Sequence, residues 1–146
     1  TEATHHGPYL NKPAVFIEIG STEKEWKASL NGKLIAVTII NAIKAYEKEP
    51  RTYKSAIILG GGHYNQAANK LLLSTDYAVA HICPKYALID LDEVTLTEAI
   101  NKIIPKPELI LVDWKGLGQY KERVITLLKG LGISYEKVDR VNMVKY

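Results

Sequence analysis

The feature that most constrains the fold is Ala56-Ile57-Ile58-Leu59, followed at once by Gly60-Gly61-Gly62, His63 and Tyr64. Four apolar residues read as a buried strand. Three glycines then end it where the backbone turns sharply or passes close to something. In α/β sheets, ligands sit beyond the carboxyl ends of strands, where such glycine turns occur. Two other strings have the same form. Thr4-His5-His6-Gly7-Pro8 lies near the start, and His81-Ile82-Cys83-Pro84-Lys85-Tyr86 follows Tyr77-Ala78-Val79-Ala80. All four histidines of the chain fall within these three strings.

The rest of the pattern alternates. Residues 13–20 read as a strand bounded by Pro and Gly. Ser21 to Trp26 opens a short helix, with Thr22 and Glu25 at capping-box spacing. Apolar residues at helical period predict a helix from Leu34 to Lys48. After the central strand come a helix over 66–73, a strand over 77–82 and a short edge strand over 88–91. Thr95 at a cap position and Pro105 beyond the end bracket a helix over 95–104. A buried strand over 109–113, a helix over 120–131 closed by Gly132, and an alternating edge strand over 135–138 complete the chain. Strands alternating with helices predict an α/β fold, a mostly parallel sheet with helices on both faces.

The 146 residues suffice for one domain, expected over 1–146, and 47% apolar with 24% charged content is that of an ordinary soluble globular chain. The histidine string arrives before any element is laid down. The chain therefore reads as one that begins mid-domain. One cysteine, Cys83, forms no internal disulfide and suits a reducing compartment, here the cytoplasm. No apolar run is long enough to span a bilayer, and no secretory leader is visible. A net charge of +3 permits a nucleic-acid partner without requiring one.

Each motif has a chemical and a structural reading. The amides of Gly60, Gly61 and Gly62 suit a phosphate or a carboxylate; equally, the triplet is a tight turn. It is neither a P-loop nor a dinucleotide fingerprint, because the residues that complete those motifs are missing. His63 and His81 follow neighbouring strands and can meet in space, and with Glu18 they compose a His-rich, one-carboxylate set of the kind that binds catalytic zinc. The alternative is a core His81 and a polar His5-His6 loop. Trp114, in Asp113-Trp114-Lys115-Gly116, either stacks on a base or packs in the core beside a surface ion pair. Cys83, between Ile82 and Pro84, reads as a packing residue.

Taken together, five ordered blocks resemble the archaeal and plant type of D-aminoacyl-tRNA deacylase. They are Ala3-Thr4-His5-His6-Gly7-Pro8, Glu18-Ile19-Gly20-Ser21-Thr22 with Glu25-Trp26, Gly60-Gly61-Gly62-His63-Tyr64, His81 to Leu88, and Asp113-Trp114-Lys115-Gly116-Leu117. The family pattern continues from the glycine-histidine-tyrosine block into Ala-Pro and a basic residue, where this chain has Asn65-Gln66-Ala67. The resemblance implies a zinc-dependent esterase acting on tRNA mischarged with a D-amino acid. It also implies a fold of the phosphorylase and peptidyl-tRNA hydrolase type, and a chain matching only the C-terminal half of family members.

Within that frame, side-chain chemistry assigns roles as expectations. Zinc is held by imidazoles from His5, His6, His63 and His81 and activates a water. His63, Glu18 and His6 are the catalytic set, with Glu18 as ligand or base. Gly60, Gly61 and Gly62 hold a phosphate or the developing oxyanion, and Tyr64 orients the amino acid or stacks on the terminal adenine. Lys85 and Lys115 contact phosphates. A metal-free version makes His63 or His81 the general base. The rival classes are a module that binds an RNA end or nucleotide without turnover, and a nucleoside phosphorylase-like enzyme on the same fold.

Overall fold

The computed structural model describes residues 1–3, 9–12, 14–20, 22–48 and 53–141. The chain's contacts gather into two compact units, one of residues 1–13 and 53–146 and the other of residues 14–52.

The larger unit is built on a four-stranded sheet of β1 (Lys54–Leu59), β2 (Tyr77–Cys83), β3 (Leu109–Val112) and β4 (Tyr135–Lys137), in the order β2-β1-β3-β4. Every pairing is parallel. This is the α/β architecture expected from the alternation. After α1 (Glu23–Lys27) and α2 (Ser29–Lys48) of the smaller unit, the helices here are α3 (Gln66–Ser74), α4 (Glu93–Asn101) and α5 (Lys121–Gly130).

Alternate residues of each strand supply two cores. On one face Ile57, Leu59, Ile110 and Val112 pack with Leu96 of α4 and Val124 and Leu128 of α5. On the other, Ala56, Ile58 and Leu111 pack with Ala68 and Leu71 of α3. Fully burying a side chain such as Ile58 or Leu128 contributes about 1.5–3 kcal/mol. The central strand β1 is buried from Ser55 to Leu59, which is why it carries almost no polar residue. A bulge interrupts its pairing with β2: Val79 stands beside Ala56, and His81, not Ala80, beside Ile57. The extra residue moves His81 to the face of Ile57 and Leu59, the side covered by α4 and α5.

Three sequence expectations change here. Residues 88–91 form turns, not an edge strand. Their carbonyls face the Arg123 guanidinium, which donates to the Leu88 and Leu91 carbonyl oxygens, while Leu88 and Leu91 turn into the core. The helix expected from Thr95 starts earlier, at Glu93. Asp92 is the cap: its carboxylate accepts from the Thr95 amide at 2.8 Å, and the Asp92 amide donates back to the Thr95 hydroxyl at 3.0 Å. Thr95 is thus the third-position partner of a capping box. The third change, over 14–20, belongs to the smaller unit.

The cap carries a pH dependence. Hydrogen bonds from the Thr95 amide and hydroxyl hold the Asp92 carboxyl below the ordinary carboxylate range. A depressed carboxyl contributes stability above its unfolded-state value, and loses it as pH falls through the folded-state value. The melting difference between wild type and Asp92→Ala should therefore be full at pH 7 and shrink below about pH 4. A gap that is constant from pH 7 to pH 2 would contradict this cap.

The smaller unit holds α1 (Glu23–Lys27) and α2 (Ser29–Lys48). Thr22 and Glu25 form the capping box that their spacing predicts. Residues 14–20 form no strand. A β-branched run becomes a strand only with a neighbour to pair with, and no described strand pairs with it. Glu18, the expected carboxylate of the site, lies in this segment and is exposed. α2 begins five residues before the expected Leu34 and buries none of its residues; Leu30, Leu34, Ile40, Ile43 and Tyr46 are all exposed. No described helix is long and apolar enough to cross a membrane.

Candidate active site at the carboxyl rim of the sheet

The parallel strands end together, and the three loops that follow β1, β2 and β3 are tied to one another by backbone hydrogen bonds. Gly60 N–H donates to the Cys83 carbonyl at 2.8 Å, and Lys85 N–H to the Gly61 carbonyl at 2.9 Å. Gly61 N–H donates to the Gly116 carbonyl at 3.2 Å, and Asp113 N–H to the Leu59 carbonyl at 3.0 Å. Gly60 and Gly61 have φ of 101° and 84°, a region open to glycine and strained for other residues. A Cβ on Gly60 would lie 3.0 Å from backbone atoms of Gly116 and Leu117. The glycines are there because two loops cross in contact.

That resolves the two readings of the triplet. The amides of Gly60 and Gly61 are committed to carbonyls of neighbouring loops, so neither is available to a phosphate or an oxyanion, and this part of the expectation is corrected. The amide of Gly62 has no hydrogen-bond partner among the described residues.

Asn65 is buried and does two jobs. Its Oδ1 accepts from the Ala68 amide at 2.9 Å, capping α3, and its Nδ2 donates to the Gly60 carbonyl at 3.0 Å. Asn65→Ala removes a cap and leaves a buried carbonyl unpaired. A loss of about 2 kcal/mol is expected, read as a lower denaturant midpoint with unchanged slope. A midpoint equal to wild type would mean that neither bond is formed in solution.

The chain start completes the site. Thr1–Ala3 runs antiparallel beside His63–Asn65: Ala3 N–H donates to the His63 carbonyl at 2.8 Å, Asn65 N–H to the Thr1 carbonyl at 3.1 Å, and Glu2 bridges to Tyr64. This places the Glu2 carboxylate 3.3 Å from Nε2 of His63. The other ring nitrogen, Nδ1, lies 3.2 Å from the Tyr86 hydroxyl, on the 3₁₀ turn Lys85–Ala87 that follows β2. The Tyr64 ring meets the imidazole edge-on, with centroids 5.1 Å apart. His63 and Glu2 side chains are 28% and 33% exposed, so the pair is shielded yet reachable by solvent.

A carboxylate beside Nε2 favours the tautomer with its proton there, leaving the Nδ1 lone pair to accept from Tyr86 or to act on a substrate. The same arrangement is how a metal-binding histidine is oriented: one nitrogen binds, while the other donates to a carboxylate. His63 thus has the surroundings of a ligand as well as those of a base.

The remaining expected residues divide. His5 and His6 lie outside the described residues. His81 stands within β2; burial first, then the Lys102 ammonium, hold its pKa below the ordinary imidazole value. Among the described residues, no three His, Cys, Asp or Glu side chains form a group able to hold a metal. The Asp113 carboxylate does not reach outward: it accepts from the Gly116 amide at 2.9 Å and fixes the loop. Lys85 arches over Gly118, and Lys115 is exposed. Cys83 is a packing residue; burial, then Asp90, push its thiol up to about 11, so almost no thiolate forms near pH 7. A groove lined by Tyr9, Thr97, Glu98 and Lys102 lies along α4 and shares no lining residue with the partners of His63.

The ordered blocks agree with comparison. The family model for D-aminoacyl-tRNA deacylase matches residues 1–136. The chain belongs to the D-aminoacyl-tRNA deacylase family. It is 43% identical over 138 residues to the D-aminoacyl-tRNA deacylase of Pyrococcus horikoshii, covering 93% of this chain and 50% of that protein. It is 39% identical over 146 residues to the protein of the same name from Methanocaldococcus jannaschii, covering 94% and 53%. A crystal structure of a conserved protein of unknown function superposes with a TM-score of 0.84 at 29% identity, over 99% of this chain and 51% of that one. The chain spans about half the length of the curated relatives it matches.

Sequence reasoning missed Glu2 and Tyr86 as partners of His63. Glu2 immediately precedes the block that begins at Ala3, and Tyr86 ends the string that begins at His81. No spacing rule connects either to His63, since their meeting depends on the antiparallel bridge and on the turn after β2.

Proposed function

We propose that this chain carries the catalytic rim of an enzyme that hydrolyses the ester between a D-amino acid and the terminal ribose of tRNA, releasing both in free form. The observation that carries the reading is His63, held between Glu2 and Tyr86 at the carboxyl ends of a parallel sheet, in a chain of this family.

His63 takes a proton at Nδ1 from the attacking water as its oxygen bonds to the ester carbonyl carbon. The same proton then passes to the ribose oxygen as the ester bond breaks. Glu2 accepts a hydrogen bond from Nε2–H throughout and stabilises the imidazolium. Tyr86, already in reach of Nδ1, orients the water or the leaving oxygen. Gly62 offers its amide to the developing oxyanion. Tyr64, 74% exposed, presents its ring to the amino acid or to the terminal adenine, and Lys85 and Lys115 meet phosphates. Zinc belongs to a second form of the proposal, in which Nδ1 of His63 would be one ligand instead of acting as the base, with imidazoles of His5, His6 or His81 as the others. When bound, the metal would lower the pKa of its water to about 7. Glu18 enters as a further carboxylate only if it reaches the rim. With a charged tRNA as substrate, the reaction would run in the cytoplasm.

The test is release of D-tyrosine from D-tyrosyl-tRNA by the purified chain, with metal content measured before and after chelation. Release that stops on chelation and returns with zinc supports the metal-assisted form. Full activity in metal-free protein removes zinc and leaves His63 as the base. Binding of the tRNA with no release from the intact protein would sink the hydrolase reading in favour of a binding module.

A further inference from the structure

Trp114 follows β3, and its indole packs against the core formed with α4 and α5. Two lysines from other elements converge on it. The Lys121 ammonium, from the first residue of α5, lies 4.7 Å from the ring centroid. The Lys137 ammonium, from the last residue of β4, lies 4.0 Å from it. All three residues are half-buried. Among the described residues no carboxylate lies within 4.0 Å of either ammonium.

Two ammoniums held on one ring make this a locally positive spot with no described carboxylate in ion-pair distance. The ring attracts each cation through its negative π face. It also holds two flexible side chains in place before any ligand arrives, so less freedom is lost when an anion binds to them. The cluster stands at the carboxyl rim, in the loop next to the one that holds His63.

We propose that the Lys121–Trp114–Lys137 cluster is a binding site for a phosphodiester of the RNA backbone. It is separate from Lys85 and Lys115, and it sets where the nucleic acid lies relative to His63. The identity of the RNA as a charged tRNA rests on the function proposed above; the anion site does not. Phosphate contacts position the polymer without reading its sequence. Trp114 serves by holding the lysines, not by stacking on a base.

The test is filter binding of radiolabelled, uncharged tRNA to the full chain over a range of salt. Lys121→Gln/Lys137→Gln should weaken binding at least tenfold at low salt. It should also flatten the plot of log affinity against log salt by about 1.5, the loss of two phosphate contacts. Lys121→Arg/Lys137→Arg should keep the wild-type slope, and Trp114→Leu should weaken binding several-fold with the slope retained. Affinity and slope equal to wild type in the glutamine pair would overturn the site. So would millimolar inorganic phosphate lowering wild-type affinity to that of the glutamine pair, because the occupant would then be the free anion. The two readings separate in a parallel release assay. Wild type that binds through the cluster but releases no amino acid defeats the hydrolase alone. Active wild type with an unaffected glutamine pair defeats the cluster alone.

Discussion

His63→Ala should lower D-amino-acid release by about 10²–10⁴-fold, the range for loss of a general base or acid, while leaving the fold intact. The imidazole is partly exposed and belongs to neither hydrophobic core, so its removal leaves no cavity in them. Its neighbours predict graded effects. Glu2→Gln keeps the shape but exchanges a carboxylate for a neutral amide, so the imidazolium loses its counter-charge and the preferred tautomer is no longer enforced. That should cost roughly tenfold or more in kcat with little change in KM. Tyr86→Phe removes only the hydroxyl at Nδ1 and should cost less. Release at the wild-type rate by His63→Ala, with an unchanged melting temperature, would remove the centre on which the proposed chemistry depends.

How much of this was legible follows from the range of each signal. The sheet was, because Ala56 to Leu59 is apolar without interruption and only a strand covered on both faces requires that. The capping box of α1 was, because Thr22 and Glu25 satisfy each other within three residues. The start of α4 was misplaced, since Asp92 and Thr95 are both good caps and only the backbone shows which one accepts. Residues 88–91 look like a strand by composition. They are a turn because a guanidinium 32 or more residues away takes their carbonyls. Residues 14–20 have strand composition but no described partner strand. Within the site, the position of His63 at a strand end was legible. Its partners were not, because Glu2 arrives through a pairing of the chain start. The Trp114 cluster likewise joins the loop after β3, α5 and β4, which meet because β4 pairs with β3 and α5 packs on the same core.

The glycines show best how a local motif hides a tertiary cause, and they supply the largest expected effect on stability. Gly116→Ala should be strongly destabilising although Gly116 is half-buried and in a loop. A Cβ there would collide with the Gly61 amide nitrogen and the Asp113 carboxylate. Neither can retreat cheaply. Gly61 donates to the Gly116 carbonyl, and the Asp113 carboxylate holds the Gly116 amide. Overpacking of about 1–3 kcal/mol, added to one or two weakened hydrogen bonds, gives a loss of about 3 kcal/mol. That corresponds to a melting point lower by roughly 10 °C. Gly62→Ala is the control: its Cβ would find nothing nearer than the Tyr64 carbonyl at 3.7 Å, an ordinary contact. It should melt close to wild type. Because Gly61 lies two residues before His63, Gly116→Ala should also slow amino-acid release at temperatures where it is still folded, whereas Gly62→Ala, which keeps its backbone N–H, should release at close to the wild-type rate. Equal melting of the two alanine variants would mean that the loops after β1 and β3 do not cross in contact, and the rim would then lack the rigidity needed to hold His63 against its partners.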